Sequence, residues 1–200
     1  YGVDTRATEE IAEWKAELGG DDALLERCGS TLTTQAVGPK VAWVARHEPD
    51  AYARARRFFM PASWLAFHLT GAYVLDHQSA SQSTPLYDIE QRQWYRPWAD
   101  RIAPGIELPE LKWAGDVAGQ VTSEAAALTG LPVGVPVTVG TIDAWSEALS
   151  VDAHNPGDLM LMYGTTLFFI NTVTEPVRDV SLWGTIGALE GTRNVAGGMA

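Results

Sequence analysis

The sequence predicts an α/β fold that changes from helical to β-rich along the chain. Through much of residues 1–115, apolar residues recur at three-to-four spacing, which is typical of helices that bury one face. A strand–turn–helix unit follows at 131–152. Short apolar strands then dominate the rest of the chain, so the order of elements indicates two domains rather than a helical bundle.

Four helices are predicted in the first third of the chain. Proline marks the start of several of these helices and glycine marks the end of others, since proline is tolerated in a first turn and glycine suits a left-handed C-cap. The predicted helices are Thr8 to Leu18, Pro39 to His47, Pro49 to Arg57, and Pro61 to Thr70 with Gly71 as its cap. His68 lies on the apolar side of the last helix and is predicted to pack in the core. The cluster Arg54, Arg56 and Arg57 is either a solvated helix face or a phosphate contact.

The pattern is less regular between 73 and 130. We expect a strand at 73–76, a polar loop at 79–84, a helix broken by proline at 88–102 and an extended linker at 108–111. Thr122 is predicted to cap a helix that ends at Gly130. This region therefore connects the helical part to the strands that follow.

The last third of the chain begins with a strand at 136–139 that turns through Gly140 into a helix carrying Trp145. Further strands are expected at 159–162, 167–172 and 183–188. The break Asn155-Pro156-Gly157 separates the helix from these strands. We therefore predict a domain boundary there, with residues 1–154 in one domain and 155–200 in the next.

Charge and cysteine content narrow the function classes. The chain has 200 residues with 14 basic and 25 acidic side chains, a net charge of -11. This balance argues against a nucleic-acid binder and against a polybasic membrane-surface protein. The first twenty residues contain no apolar leader, and the longest uncharged stretch, 125–142, is interrupted by proline and glycine. The single cysteine, Cys28, favours a reducing, cytoplasmic compartment and is expected to be inert.

Asp143 is the first candidate catalytic residue. It stands where a strand turns through glycine into a helix. Such a carboxylate is either the N-cap of the helix or a general base held on a rigid strand end. The four histidines show no metal-ligand spacing, and no metal site formed by the protein is expected.

Gly164, Thr165 and Thr166 form the second candidate, between two apolar strands. A hairpin turn explains them, but backbone N–H groups and hydroxyls at a glycine turn also bind phosphate. A base in one domain that faces a phosphate loop in the next is the arrangement needed for phosphoryl transfer to a hydroxyl. Closure of such a cleft would exclude water.

Several short motifs also occur in a fixed order along the chain. They are Val3-Asp4-Thr5-Arg6, Trp64 to Gly71, Asp76 to Thr84, Leu86 to Ile89 with Trp94, Leu108-Pro109, Gly119 to Thr122, Thr129 to Leu131, Gly134 to Val137, Gly140 to Asp143 and Gly164 to Thr166. In this order and spacing they resemble the FGGY family of carbohydrate kinases, which includes xylulokinase, ribulokinase and glycerol kinase.

The resemblance implies an actin-like, RNase H-like ATPase fold with ATP and sugar in the cleft between two domains. It implies ATP-dependent, Mg²⁺-assisted phosphorylation of a sugar or polyol, of the pentulose kinase type. Asp143 matches the catalytic base of the family. The loop that meets the ATP phosphates matches Gly164, Thr165 and Thr166, and a segment that lines the sugar site matches Asp4 and Arg6. The implied partners are the sugar and ATP, with a homodimer left open.

The resemblance also bears on domain organisation. Residues 1–154 match the later part of the N-terminal sugar-binding domain, and 155–200 match the start of the ATP-binding domain. Because the chain begins at Tyr1 rather than Met, we expect it to be a piece of a longer protein. The resemblance implies that half of the ATP site lies outside these residues, so we expect the piece to be inactive by itself.

Some positions depart from the family pattern. Ser63 stands where many members have Asp, and Leu75 to Gln78 replace a usual Thr-Asp pair, which puts the sugar preference in doubt. The alternative function is a non-catalytic sugar-binding or regulatory relative.

Overall fold

The computed structural model describes residues 4–164 and 167–199. The helices are α1 (Thr8–Glu17), α2 (Gly20–Cys28), α3 (Val37–His47), α4 (Pro49–Arg54), α5 (Pro61–Thr70), α6 (His77–Ser81), α7 (Arg96–Ile102), α8 (Ser123–Thr129) and α9 (Asp143–Ser150). The strands are β1 (Val74–Asp76), β2 (Tyr87–Asp88), β3 (Gln93–Trp94), β4 (Glu110–Lys112), β5 (Val117–Gln120), β6 (Pro136–Thr138), β7 (Leu159–Tyr163), β8 (Leu167–Val173), β9 (Trp183–Ile186) and β10 (Arg193–Met199).

The largest sheet contains four antiparallel strands in the order β7-β8-β10-β9. Three smaller sheets have two strands each: β1 and β4 are parallel, while β2–β3 and β5–β6 are antiparallel. The small sheets belong to the part of the chain that precedes α9. The four-stranded sheet lies entirely after it.

Two hydrophobic cores matter for the position of the site. One joins the early helices and includes Leu24, Leu86 and Ile102. The other packs Trp145 and Ala148 of α9 together with buried residues of β7, β8 and β10. The indole nitrogen of Trp145 also donates a hydrogen bond to Asn194 Oδ1 at 3.0 Å. The start of α9 and the β7–β8 hairpin are therefore held on one core.

Predictions that rest on local capping signals are confirmed. Helix α5 has the predicted bounds, and Gly71 is left-handed at φ +79°. Helix α8 begins after Thr122, whose side chain accepts a hydrogen bond from the backbone N–H of Ala125 at 3.1 Å, and ends before Gly130. Capping and glycine signals act within one helical turn, so the sequence carries them completely.

Three predictions in the irregular region are wrong. The sequence predicts a polar loop at 79–84, but the first residues of this segment belong to α6, which is buried and capped by Asp76. Only 96–102 of the predicted helix 88–102 is helical, because the chain before it forms the β2–β3 pair. The predicted linker at 108–111 contains the start of β4, which pairs with β1. The sequence pattern also does not indicate helix α2 or strands β5 and β10.

His68 is exposed rather than packed in the core. Its ring lies 4.2 Å from that of Trp64, which is itself 52% exposed. Helix α5 is apolar on nearly every side, so periodicity does not distinguish its inner face, formed by Ser63 and Ala66, from its outer face.

The basic cluster after α4 lies at the surface, as the solvated-face interpretation predicts. The side chain of Arg57 pairs with Glu107 at 2.7 Å, and that of Arg56 donates to backbone carbonyls. Cys28 is fully buried, and burial raises the pKa of its thiol, as expected for an inert cysteine. None of the helices described is both long and apolar enough to span a membrane.

Candidate active site

The turn between β6 and α9 is anchored by a buried carboxylate from a distant part of the chain. Asp76 ends β1, and its Oδ2 accepts a hydrogen bond from the backbone N–H of Ser79 at 3.1 Å, which caps α6. The same oxygen accepts a hydrogen bond from the hydroxyl of Thr141 at 2.7 Å. The turn at 140–142 is thereby tied to α6.

Gln78 joins this contact from the first turn of α6. Its Oε1 lies 3.2 Å from Thr141 Oγ1, but a hydroxyl has one hydrogen and the contact to Asp76 is the shorter. The amide nitrogen of Gln78 is buried without a partner in this orientation. With the amide turned over, that nitrogen donates to Thr141 Oγ1 while the Thr141 hydroxyl donates to Asp76, so the hydroxyl is used both as acceptor and as donor.

The electrostatics of Asp76 follow from its burial. Its side chain is 1% exposed, and burial raises its pKa, while the hydrogen bonds from Ser79 and Thr141 act in the opposite direction. Its second oxygen, Oδ1, and the Ser79 hydroxyl are buried without protein partners. A carboxylate in this position is suited to holding the turn rather than to meeting a ligand.

A second anchor of the turn comes from the loop that follows β4. The backbone N–H of Gly140 donates to the carbonyl of Ala114 at 3.0 Å, and that of Val139 donates to the carbonyl of Asp116 at 2.9 Å. Gly140 has a φ of +74°, a conformation that favours glycine. The turn is thus fixed on one side by a side chain and on the other by backbone.

The same loop packs Trp113 against His77 of α6. The rings of Trp113 and His77 lie 4.5 Å apart, and the Nδ1 of His77 lies 2.8 Å from the hydroxyl of Tyr87. Burial lowers the pKa of His77, which favours the neutral imidazole. Trp113 precedes Ala114, which anchors Gly140, and His77 follows Asp76, so the pair adjoins both anchors of the turn.

Asp143 is exposed at the start of α9. Its Oδ1 accepts a hydrogen bond from the backbone N–H of Ala144 at 2.9 Å. The N-cap is Ile142, so the interpretation of Asp143 as the capping residue is wrong. Asp143 lies in the first turn, where the helix dipole favours a negative charge.

The predicted phosphate loop connects β7 to β8. Tyr163 pairs with Leu167, so Gly164, Thr165 and Thr166 join the two strands. Gly164 is exposed, and Thr165 and Thr166 lie outside the described residues. Phe168, just after the connection, packs its ring 6.3 Å from that of Trp145, two residues after Asp143. The end of the hairpin nearest its turn therefore adjoins α9, while the phosphate contacts stay a prediction.

Asp4 and Arg6 form a bidentate ion pair with each other, with both contacts at 2.9 Å. The guanidinium also lies 4.1 Å above the ring of Trp43 in α3. Hydrogen bonds from Arg6 hold the pKa of Asp4 well below its usual range. Among the described residues, the hydrogen bonds of this pair do not connect it to the Asp143 turn, so its role at the sugar site stays a prediction.

Among residues 4–164 and 167–199, no group of three or more His, Cys, Asp or Glu side chains is arranged to hold a metal ion. Mg²⁺ that accompanies a nucleotide is commonly held by phosphate oxygens and water with few protein ligands.

Comparison with known proteins decides the family. The model of the FGGY family of carbohydrate kinases, N-terminal domain, matches residues 2–150, well over half of the chain. The chain belongs to this family. It is similar to autoinducer-2 kinase of Escherichia coli strain K12, with 32% identity over 181 residues, 88% of this chain and 34% of that protein. The autoinducer-2 kinase of Photorhabdus laumondii is 33% identical over 90% of this chain and 34% of its own length.

Solved structures support the same assignment. The xylulose kinase of Rhodospirillum rubrum is 31% identical and superposes with a TM-score of 0.91 over 98% of this chain and 40% of that one. The glycerol kinase of Plasmodium falciparum, solved with ADP, shares the fold at 22% identity and a TM-score of 0.86, over all of this chain and 41% of that one. The actin-like fold of FGGY sugar kinases is therefore confirmed, and the chain spans about a third of the length of its curated relatives.

The predicted site residues did not include Thr141 and Gln78, which meet at the Asp143 turn, or Trp113, which precedes the anchoring Ala114. The one local signal was Asp76 three residues before Ser79, a spacing that favours an N-cap and could have predicted α6. Nothing local connects Asp76 to Thr141, which lie 65 residues apart.

Proposed function

We propose that the protein containing this chain is a kinase that transfers the terminal phosphate of ATP to a hydroxyl group of a sugar or polyol. The observation that supports this most directly is the position of Asp143. Its exposed carboxylate stands on a turn that is anchored on both sides, and α9 packs on the sheet whose β7–β8 hairpin carries Gly164 to Thr166. A base and a phosphate loop on one core suit phosphoryl transfer.

In this proposal Asp143 is the general base. A sugar hydroxyl is a weak nucleophile and must lose its proton as it attacks the phosphate. Oδ1 of Asp143 accepts the N–H of Ala144, so Oδ2 is the oxygen that we assign to the substrate proton. The N–H groups and hydroxyls of Gly164, Thr165 and Thr166 would bind the phosphates of ATP. Mg²⁺ bound with ATP supplies charge neutralisation for these phosphates.

The substrate in this proposal is a small polyhydroxylated compound of the kind that the relatives' names indicate, xylulose or autoinducer-2. Trp113 and His77 support it, because an indole face packs on sugar C–H groups and an imidazole binds hydroxyls. Asp4 and Arg6 would provide further polar contacts. A binding relative without phosphoryl transfer is less favoured, since it has no need of an anchored base.

The proposal keeps the predicted boundary near residue 155, with sugar-binding residues before it and ATP-binding residues after it. In support, the family model ends at residue 150, and 155–158 form a tight turn in which Asn155 N–H donates to Asp158 Oδ2 at 2.8 Å. A cytoplasmic location also belongs to the proposal, since ATP is abundant there and the single cysteine is buried and free.

The test is an ADP-release assay on the full protein with pentuloses, hexuloses, polyols and autoinducer-2, with mass spectrometry of the product. We expect one class to give ADP together with a product heavier by one phosphoryl group. Tight sugar binding by calorimetry without ADP release would instead indicate the non-catalytic relative.

A further inference from the structure

We infer that Thr141 is a positioning residue that fixes the Asp143 carboxylate through its hydrogen bond to the buried Asp76. This inference rests on the proposed function, in which Asp143 is the base. It adds a role for Thr141, Asp76 and Gln78, none of which reaches the substrate in this assignment.

The first argument is the geometry of the turn. The Thr141 hydroxyl lies 2.7 Å from Asp76 Oδ2, and one extended residue, Ile142, with φ -66° and ψ 147°, separates Thr141 from Asp143. Two planar peptide units join Thr141 to Asp143, with the φ and ψ of Ile142 as the rotatable dihedrals between them. A displacement of Thr141 therefore displaces Asp143.

The second argument is that the backbone of the turn, and not the Asp143 side chain, is held by distant partners. The Asp143 side chain is exposed, and its hydrogen bond is with the adjacent Ala144 N–H, which moves with it. Its position in the site thus depends on the backbone of the turn. That backbone has two anchors, the carbonyl of Ala114, which bonds Gly140, and the side chain of Thr141. A substitution can remove the second without altering the first.

The third argument is the position of Asp76, the residue to which the Thr141 hydroxyl donates its hydrogen bond. Asp76 caps the N-terminal end of α6, and at the other end the hydroxyl of Ser81 accepts a hydrogen bond from the backbone N–H of Ile186 at 3.2 Å. Ile186 belongs to β9, which shares a sheet with the β7–β8 hairpin. Helix α6 therefore connects the turn that carries the base to the sheet that carries Gly164. Thr141 thus adds a second connection, through α6, between Asp143 and the sheet on which α9 packs.

The test uses the full protein and three variants at Thr141. Thr141→Val keeps the shape and removes the hydroxyl, and we expect kcat to fall about 10- to 100-fold with KM for the sugar within about 3-fold, because small misplacements of a reacting group have effects of this size. Thr141→Ser keeps the hydroxyl and should restore kcat to within about 3-fold of wild type. If Thr141→Val does not fold, Thr141→Ala replaces it with the same expectation.

A double-mutant cycle with Asp143→Asn separates positioning from a general structural effect. In single-turnover measurements, Thr141→Val should lower the rate of the wild type but not the residual rate of Asp143→Asn, because the group that Thr141 positions is already lost. An equal loss in both backgrounds, an unchanged kcat in Thr141→Val, or a Thr141→Ser variant as slow as Thr141→Val would overturn the inference. A near-normal rate of Asp143→Asn alone would refute the proposed function instead.

Discussion

Asp76 and Asp143 flank the same turn, yet one carboxylate is buried and the other is exposed. Asp76 is enclosed by α6 and Thr141, and its raised pKa reflects the loss of water around it. Asp143, two residues beyond Thr141, opens α9 and faces the surface. The same chemical group thus has two environments within one small region.

The two environments suit two different roles: fixing the geometry of the turn and reacting with a substrate. A buried carboxylate with fixed donors gives geometric definition, but it is inaccessible to a substrate and costly to leave unpaired. An exposed carboxylate can accept a proton from a substrate, but it has no rigidity of its own. The turn combines the two by connecting one to the other through Thr141. Five substitution experiments test this division of roles.

Asp143→Asn should have the largest effect, a fall in kcat of about 10²- to 10⁴-fold, because it removes the proposed general base. The free energy of unfolding should change by less than about 0.5 kcal/mol, since the site is exposed. Steady-state kinetics and urea unfolding measure the two quantities. Glu147→Gln, an exposed acid one turn later in α9, is the matched control and should leave kcat within about 2-fold of wild type. Equal losses in the two variants would contradict a catalytic role.

Asp76→Ala should lower stability as well as kcat, the latter as in Thr141→Val, because it removes the acceptor of the Thr141 hydroxyl. It leaves the Ser79 N–H and the Thr141 hydroxyl without their acceptor, and we expect a loss of about 2–4 kcal/mol in the free energy of unfolding. Asp76→Asn retains a side-chain oxygen and should lose less than half as much. If the alanine variant is as stable as wild type, Asp76 does not hold the turn.

Trp113→Ala should weaken sugar binding without disabling the base. We expect KM for the sugar to rise about 10-fold, with kcat within about 3-fold, because loss of an aromatic packing surface is worth roughly 1–1.5 kcal/mol. Trp113→Phe keeps a ring and should recover most of the affinity. A fall in kcat with unchanged KM would show that Trp113 supports the turn and does not face the sugar.

The stability difference between wild type and Asp76→Asn should depend on pH. Burial raises the folded-state pKa of Asp76, so the folded state holds its proton more tightly than the unfolded state. The wild type should therefore lose free energy of unfolding as the pH rises from the ordinary aspartate range through the raised pKa. The loss is about 1.4 kcal/mol for each pH unit that separates the unfolded-state pKa from the folded-state pKa. The asparagine variant lacks this loss. Urea unfolding of both proteins between about pH 4 and pH 9 gives the difference, and a pH-independent difference would contradict an ionisable buried Asp76.

Arg6→Ala should have the smallest effect. Its ion pair with Asp4 is exposed, so the thermal midpoint should stay unchanged within error. If the pair lines the sugar site, KM should rise roughly 3-fold, the size expected for one exposed polar contact. Arg96→Ala, which breaks a comparable surface pair with Asp100, is the control and should not alter KM. Identical kinetics for both variants would remove Asp4 and Arg6 from the site.

Sequence reasoning succeeds where a signal is local. Thr122 with Gly130, and Pro61 with Gly71, mark the ends of α8 and α5, and Gly140 with Asp143 locates the turn before α9. It fails where tertiary contacts decide. Helix α6 is rich in small polar residues, a composition that predicts a loop, but burial and the Asp76 cap make it helical. The apolar pattern of α5 predicts a core position for His68, which lies on the exposed side of that helix.

The sequence by itself determined the order of motifs and the family that this order indicates, and it supplied the residues proposed to carry the chemistry. These are properties of short segments, and side-chain type and spacing express them fully. Only the tertiary structure decided which of the two aspartates is buried and that Thr141 reaches Asp76 across 65 residues. Burial and long-range pairing depend on how helices and sheets pack together, because the free energy of a buried polar group depends on all of its neighbours.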